Sequence, residues 1–281
     1  MPEGRPLSRL AAGFGNVRVL MGTGWLDAYI RLNRRREPAA LLASTWSAAC
    51  RLGVLFGGGA LYRNRFGYDW RSILFLRVLK RLDRAGIRCL PKVSLSNFEA
   101  VRAVTDGGRP IIAVMAHSPA DAVINRVFAE AKIPWTLLAA SLKGVAPKAR
   151  QLGLRGELDV IPRNNDALLA IRQRLGAGRS ICACIDFVDK AGSTAGCIFV
   201  SPILFELAKL TRSRMIYADA SVTRDGTIEL VFATPRVDLA ASPAEACAED
   251  FIDWLRAERG DRRQFKVRKW TNPASAGQGP R

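Results

Sequence analysis

An α/β fold, with a mixed central sheet flanked by helices and a basic helical N-terminal region, is predicted by three features of the sequence. From Arg109 onward, short apolar runs alternate with amphipathic segments of helix length, the habit of a sheet covered by helices. Asp225-Gly226 stands between two apolar runs; this dipeptide suits the mirror-image turn of a hairpin, so at least that edge of the sheet is antiparallel. Up to about Arg88, by contrast, the chain is rich in arginine and carries few strand signals.

The apolar runs place strands at 110–116, 135–139, 158–161, 181–186, 215–218 and 227–232. The amphipathic segments between them place helices near 120–131, 166–175 and 203–211. A last helix is expected from about Pro243 to Arg259, followed by a basic, Trp-containing tail. No internal repeat is visible. The resulting division is a basic, aromatic-containing helical region over 1–86, an α/β domain over 87–270 and a flexible tail over 271–281.

At 281 residues and 49% apolar, the chain can bury one large core, and its composition excludes collagen-like, mucin-like and disordered classes. A formal charge of +18 calls for polyanionic surroundings: nucleic acid, anionic lipid headgroups or phosphorylated substrates. The N-terminal third sets Trp25, Trp46 and Trp70 among Arg31, Arg34, Arg35, Arg36, Arg63, Arg65 and Arg71. This mixture is expected of helices lying in a headgroup layer. An ordinary basic helical cap with core tryptophans is the alternative. The most apolar stretch, 39–62, has Arg51 at its middle and is interrupted by Gly57-Gly58-Gly59. A central arginine costs roughly 2.5–3.5 kcal/mol in a span, so a peripheral position is expected rather than a crossing. Around Arg5, Arg9 and Arg18 no secretory signal is read.

The six cysteines contain no C-x-x-C pair, and one histidine cannot complete a Cys/His zinc set. No metal site is expected, and free cysteines fit a reducing, cytosol-facing compartment. Cys182 and Cys184 are expected inside a buried strand, on opposite faces, as small hydrophobes.

Chemistry concentrates at Ile111-Ile112-Ala113-Val114-Met115-Ala116-His117-Ser118-Pro119-Ala120-Asp121. A buried strand delivers His117 to its carboxyl end and a helix follows, which sets an imidazole and a carboxylate at the rim where α/β sheets bind ligands. The following helix start also suits an oxyanion or phosphate. Asp121 has a second reading. Ser118-Pro119-Ala120-Asp121 spells a capping box, and Ser242-Pro243-Ala244-Glu245 repeats that spelling where no histidine precedes it.

Read from Ile87 to Trp270, the chain resembles the lipid A biosynthesis (lauroyl/myristoyl) acyltransferase branch of the lysophospholipid acyltransferase-like superfamily. Four features carry the likeness in order. They are the apolar strand ending in His117; Asp159-Val160-Ile161-Pro162-Arg163 before an amphipathic helix; Leu175-Gly176-Ala177-Gly178-Arg179-Ser180-Ile181-Cys182-Ala183-Cys184-Ile185-Asp186; and the segment from Phe205 to Phe232. Gln264, Arg268 and Trp270 are loosely similar to the family's C-terminal pattern, and the stretch between Asp189 and Pro202 is shortened. The resemblance implies a glycerolipid acyltransferase-like fold. It also implies acyl transfer from an acyl-carrier-protein or coenzyme A thioester to a hydroxyl of a membrane lipid or glycolipid, as in lipopolysaccharide biosynthesis at the cytoplasmic face of the bacterial inner membrane.

In that family a histidine and an acid are separated by four residues; three separate His117 from Asp121 here, turning the acid by about 100° on a helix. The resemblance implies His117 as general base, with Asp121 fixing its tautomer. It offers Arg163 as a phosphate holder beside Ser118, Asp186 and Asp189 as further substrate-binding residues, with Asp186 orienting Arg163 or the substrate. No cofactor is expected beyond the thioester co-substrate.

Two rivals belong to other classes. The same fold retained as a lipid- or partner-binding module is suggested by the shortened spacing. A nucleic-acid-binding protein is suggested by the charge, but no helix-turn-helix, zinc finger or RNP-type strand is present, and no nucleic acid is expected. A cysteine enzyme pairing Cys182 or Cys184 with His117 is the least supported reading.

Overall fold

The computed structural model describes residues 24–55, 70–188, 198–257, 259–260 and 265–268. Arg5, Arg9, Arg18, Asp189, Cys197, Gln264, Trp270, the whole 57–65 arginine- and glycine-containing stretch and the 271–281 tail lie outside the described residues.

Seven strands form the main sheet: β1 (Val93–Ser96), β2 (Ile111–Met115), β3 (Trp135–Ala139), β4 (Val160–Pro162), β5 (Ser180–Cys184), β8 (Arg214–Val222) and β9 (Ile228–Ala233). Their spatial order is β1-β9-β8-β2-β5-β3-β4. All neighbouring pairs are parallel except β8 with β9, so the sheet is mixed for the reason that Asp225-Gly226 announced. Gly226 has φ 86°, a left-handed turn conformation natural to glycine. Asp225 accepts hydrogen bonds from the Thr223 and Thr227 hydroxyls, which hold its carboxyl below the usual range. A small second sheet is made of β6 (Asp186–Val188), β7 (Ile198–Val200) and β10 (Phe265–Val267).

Every residue of β2 is buried, because both faces of a parallel sheet carry helices. Ile111, Ala113 and Met115 enter one core cluster; Ile112 and Val114 enter the other, as the two-residue period of a strand requires. The first face is covered by α1 (24–33), α2 (Pro38–Leu55), α3 (Trp70–Arg84), α4 (Phe98–Thr105), α5 (Val123–Glu130) and α6 (Leu142–Gln151). The second is covered by α7 (Ala167–Gly176), α8 (Ile203–Thr211) and α9 (Ala244–Ala257).

The strand at 135–139 and the helix at 203–211 fall where the periodicity puts them. Elsewhere the structure revises the reading. The run 181–186 breaks at Ile185, so Asp186 opens the second sheet rather than ending β5. Helix α6 occupies ground that the sequence leaves unassigned, because Gly144 and Pro147 punctuate it. Trp46, expected at a lipid surface or in a core, is a core residue: it is 1% exposed, and its Nε1 donates to the Arg224 carbonyl at 2.9 Å. Trp25 is exposed. Among the described residues, no helix is long and apolar enough to cross a membrane.

Candidate active site

Strand register builds the site. Met115 of β2 and Cys184 of β5 are direct parallel partners. Two residues beyond each, the chain has left the sheet at its carboxyl edge, and there stand His117 and Asp186. Asp186 Oδ1 accepts two hydrogen bonds from His117, from the backbone N–H at 2.6 Å and from the ring Nδ1 at 2.7 Å. A carboxylate only accepts, so Nδ1 carries the ring proton and the lone pair of the neutral imidazole lies on Nε2.

The Asp186 side chain is 4% exposed and that of His117 is 41% exposed, so the acid is sealed behind a ring that reaches the surface. Burial opposes charge on the imidazole and is the largest single influence on it. The hydrogen bond and negative charge of Asp186, with the charge of Asp121, outweigh it against Arg163, and the pKa rises above its ordinary 6.5.

The acid that meets the imidazole Nδ1 is therefore Asp186, which corrects the assignment of that role to Asp121. The physical reason is the path after β2. Residues 119–122 form a turn and α5 begins only at Val123. The Asp121 carboxylate receives Lys148 Nζ at 2.5 Å, from the facing helix α6, and the Cys184 thiol at 3.6 Å. The capping-box alternative is not realised either, since the α5 N-cap is Ala122 with no side-chain cap. Ser118 is held by backbone: its hydroxyl donates to the Ala220 carbonyl at 2.8 Å and accepts from the Ala120 N–H at 3.2 Å. Lys148 also donates to the Ser118 carbonyl at 2.9 Å, so this lysine clamps the whole 118–121 turn.

Beside His117 lies a cavity of about 300 Å³ between the carboxyl edge and helices α5 and α6, at the lower end of the about 300–1,000 Å³ usual for ligand pockets. Met115, Ile124, Leu137, Leu138 and Val145 give it an apolar wall, and His117, Asp121, Lys148 and Arg163 a polar one. Arg163 reaches it from β4, next to the end of β3, with its backbone N–H bonded to the Ala139 carbonyl at 3.1 Å. Its guanidinium donates to the Cys184 carbonyl. Asp186 thus orients His117, and Arg163 is oriented by strand β5 backbone. Sequence reading missed Lys148 and the buried Asn125, whose side chain accepts from Trp135 Nε1 at 2.9 Å; neither belongs to a motif, and only the α6 packing brings Lys148 in.

Cys182 and Cys184 pack on the same core cluster, not on opposite faces, because residues two apart on a strand share a face. Burial raises both thiols well above their ordinary pKa, which leaves no thiolate for nucleophilic work. Among the described residues, no group of His, Cys, Asp and Glu could hold a metal ion.

The sequence matches no known family pattern and no characterised protein.

Proposed function

We propose that this protein is a membrane-surface acyltransferase, in which His117 acts as general base for transfer of a fatty acyl group from a thioester to a lipid or glycolipid hydroxyl. The observation that carries the reading is the His117–Asp186 pair at the sheet rim, opening on a cavity with an apolar wall and a cationic margin. An acyl chain needs the first and a phosphorylated or carboxylated substrate the second.

The roles follow from the chemistry. Nε2 takes the proton of the acceptor hydroxyl as its oxygen attacks the thioester carbonyl. Asp186 holds the tautomer and stabilises the imidazolium. The C–S bond then breaks, the new ester forms, and the imidazolium returns its proton to the departing thiolate. Arg163 and Lys148 supply positive charge near the developing oxyanion and any phosphate on either substrate. Asp121 serves by fixing Lys148 and adding negative charge near the imidazole.

On the far side of α6 a larger basic hollow adjoins this cavity through Gly144 and Lys148, with Lys80, Arg88, Arg150 and Arg155 in its wall. It extends the cationic margin away from the reacting atoms. The high net charge supports a resting place on an anionic membrane face.

The test compares lipid mass spectra of cells bearing the parent, a His117→Ala form and no gene, beside acyl-transfer assays with thioester donors. An acylated lipid present only with the parent supports the reading. An unchanged lipidome and no transfer from any thioester would leave a non-catalytic binding protein.

A further inference from the structure

The edge of the sheet opposite His117 carries a second cleft. Ile111, the first residue of β2, is the direct partner of Arg214, the first residue of β8. The loops entering these neighbouring strands therefore bring Arg109 beside Arg212 and Arg214. Two cavities, of about 820 and 470 Å³, open there, and Arg109, Arg212, Ser213 and Arg214 belong to the walls of both. Sharing these residues, the two adjoin, and α7 adds Arg172 to one and α8 adds Lys209 to the other. Their walls hold five cations against the single carboxylate of Asp238.

Exposed arginines are ordinary in so basic a chain; here four of them converge on two adjoining cavities. Arg81, Arg126, Arg174, Arg179, Arg236 and Arg259 each engage a carboxylate. Among the described residues, Arg109, Arg172, Arg212 and Arg214 make no side-chain ion pair or hydrogen bond. Four guanidinium groups gathered around the single carboxylate of Asp238 repel one another, and a bound polyanion removes that repulsion.

Arg212 stands in a turn that a glycine could take. It caps α8 with φ 52°, in the left-handed region, a place that glycine fills at no steric cost. Helix α7 ends in the ordinary way, with Gly178 at φ 75° just beyond its cap. Lys132 takes the same conformation just beyond α5, with φ 57°, so it is position that marks Arg212, which lies in the wall shared by both cavities.

We infer that this cleft binds a ligand bearing two or more phosphate groups, of the diphosphate class, at a site separate from the His117 cavity. Paired N–H donors of arginine suit phosphate oxygens. The spread of the cations over two joined cavities suits a ligand with more than one phosphate rather than a lone monoanion.

Isothermal titration of the full chain with pyrophosphate tests this, beside co-sedimentation with phosphatidic acid vesicles. Arg212→Gly relieves backbone strain and keeps the fold, so its expected effect is on binding alone. Pyrophosphate affinity falls about tenfold, equivalent to about 1.4 kcal/mol, and further with Arg214→Gln added. Arg224→Gln, an exposed arginine of the β8–β9 turn outside every cavity described, leaves affinity unchanged. Vesicle binding that is lost in the same variants, without binding of free pyrophosphate, assigns the phosphates to lipid headgroups and upholds the site. The inference is overturned if neither probe binds the parent, if the Arg212→Gly, Arg214→Gln protein binds as the parent does, or if sulfate binds as tightly as pyrophosphate.

Discussion

Asp186→Asn is the sharpest perturbation of the proposed mechanism. Asparagine is isosteric, and its carbonyl oxygen can accept both hydrogen bonds that His117 sends to Oδ1 at 2.6 and 2.7 Å. The substitution therefore removes charge and leaves geometry. A hydrogen bond to an ionised group contributes about 1.5–3 kcal/mol and a neutral one about 0.5–1.5. The difference, about 1–1.5 kcal/mol, acts on the imidazolium that forms in the transition state and lowers the rate roughly tenfold. The second effect is on pH. Asp186 is the chief agent raising the His117 pKa against burial, so its neutral replacement lets the pKa fall. In the parent, kcat/KM for acyl transfer rises with pH through a limb above 6.5; in the variant that limb moves to lower pH while the plateau drops. Stability follows the same sign. A pKa raised in the folded state contributes stability present below about 6.5 and lost as pH climbs through the folded value. Urea titrations of parent and variant should thus differ more at pH 5.5 than at pH 8.5. A variant with the parent's pH limb and plateau would refute the assignment of Asp186, and with it the base role of His117.

Three further outcomes are expected. Lys148→Met leaves the nearly buried Asp121 carboxylate without its cation and destabilises the chain by about 1–3 kcal/mol in urea unfolding; adding Asp121→Asn restores part of that loss, whereas an additive double variant would deny the coupling. Gly226→Ala sets a Cβ 2.7 Å from Trp46 Cδ1 in a left-handed turn, at a cost of about 2–4 kcal/mol, with a shift in tryptophan fluorescence as Trp46 moves; parent-like stability and emission would contradict this packing. A Cys182→Ala, Cys184→Ala protein retains acyl transfer, and the parent thiols alkylate slowly at pH 8 because burial keeps both protonated; rapid labelling coupled to inactivation would revive a cysteine mechanism.

The sequence makes the strand-to-rim delivery of His117 legible, because a five-residue apolar run followed by Ser-Pro marks both the strand and its end. The hairpin and the α8 boundaries are legible for the same local reason. Partner choice is not. Asp186 and Asp121 were both visible as carboxylates near strand ends, yet which one meets His117 depends on β5 lying next to β2, and no local pattern encodes the order of strands. Lys148 is hidden more deeply, in a helix that Gly144 and Pro147 disguise. Trp46 is open on local grounds, since its arginine-rich neighbourhood suits either a lipid surface or a basic cap with core tryptophans, and the tertiary packing decides: it lies buried under the β8–β9 turn.

The unusual His117-to-Asp121 spacing loses its force once this register is taken into account. An acid placed by chain separation alone must ride on the turn or helix that follows the histidine, and a change of one residue swings it by about 100°. An acid delivered by the neighbouring parallel strand is held by the ladder instead, where Met115 and Cys184 fix the two chain exits side by side. The 118–121 turn is then free to serve another purpose, and it accepts the lysine of α6 that lines the cavity. If Asp121→Asn lowers acyl transfer as severely as Asp186→Asn, this division of labour is wrong and both carboxylates act on one imidazole. A smaller loss from Asp121→Asn, with the pH limb moving down less than it does in Asp186→Asn, is the outcome that strand register requires.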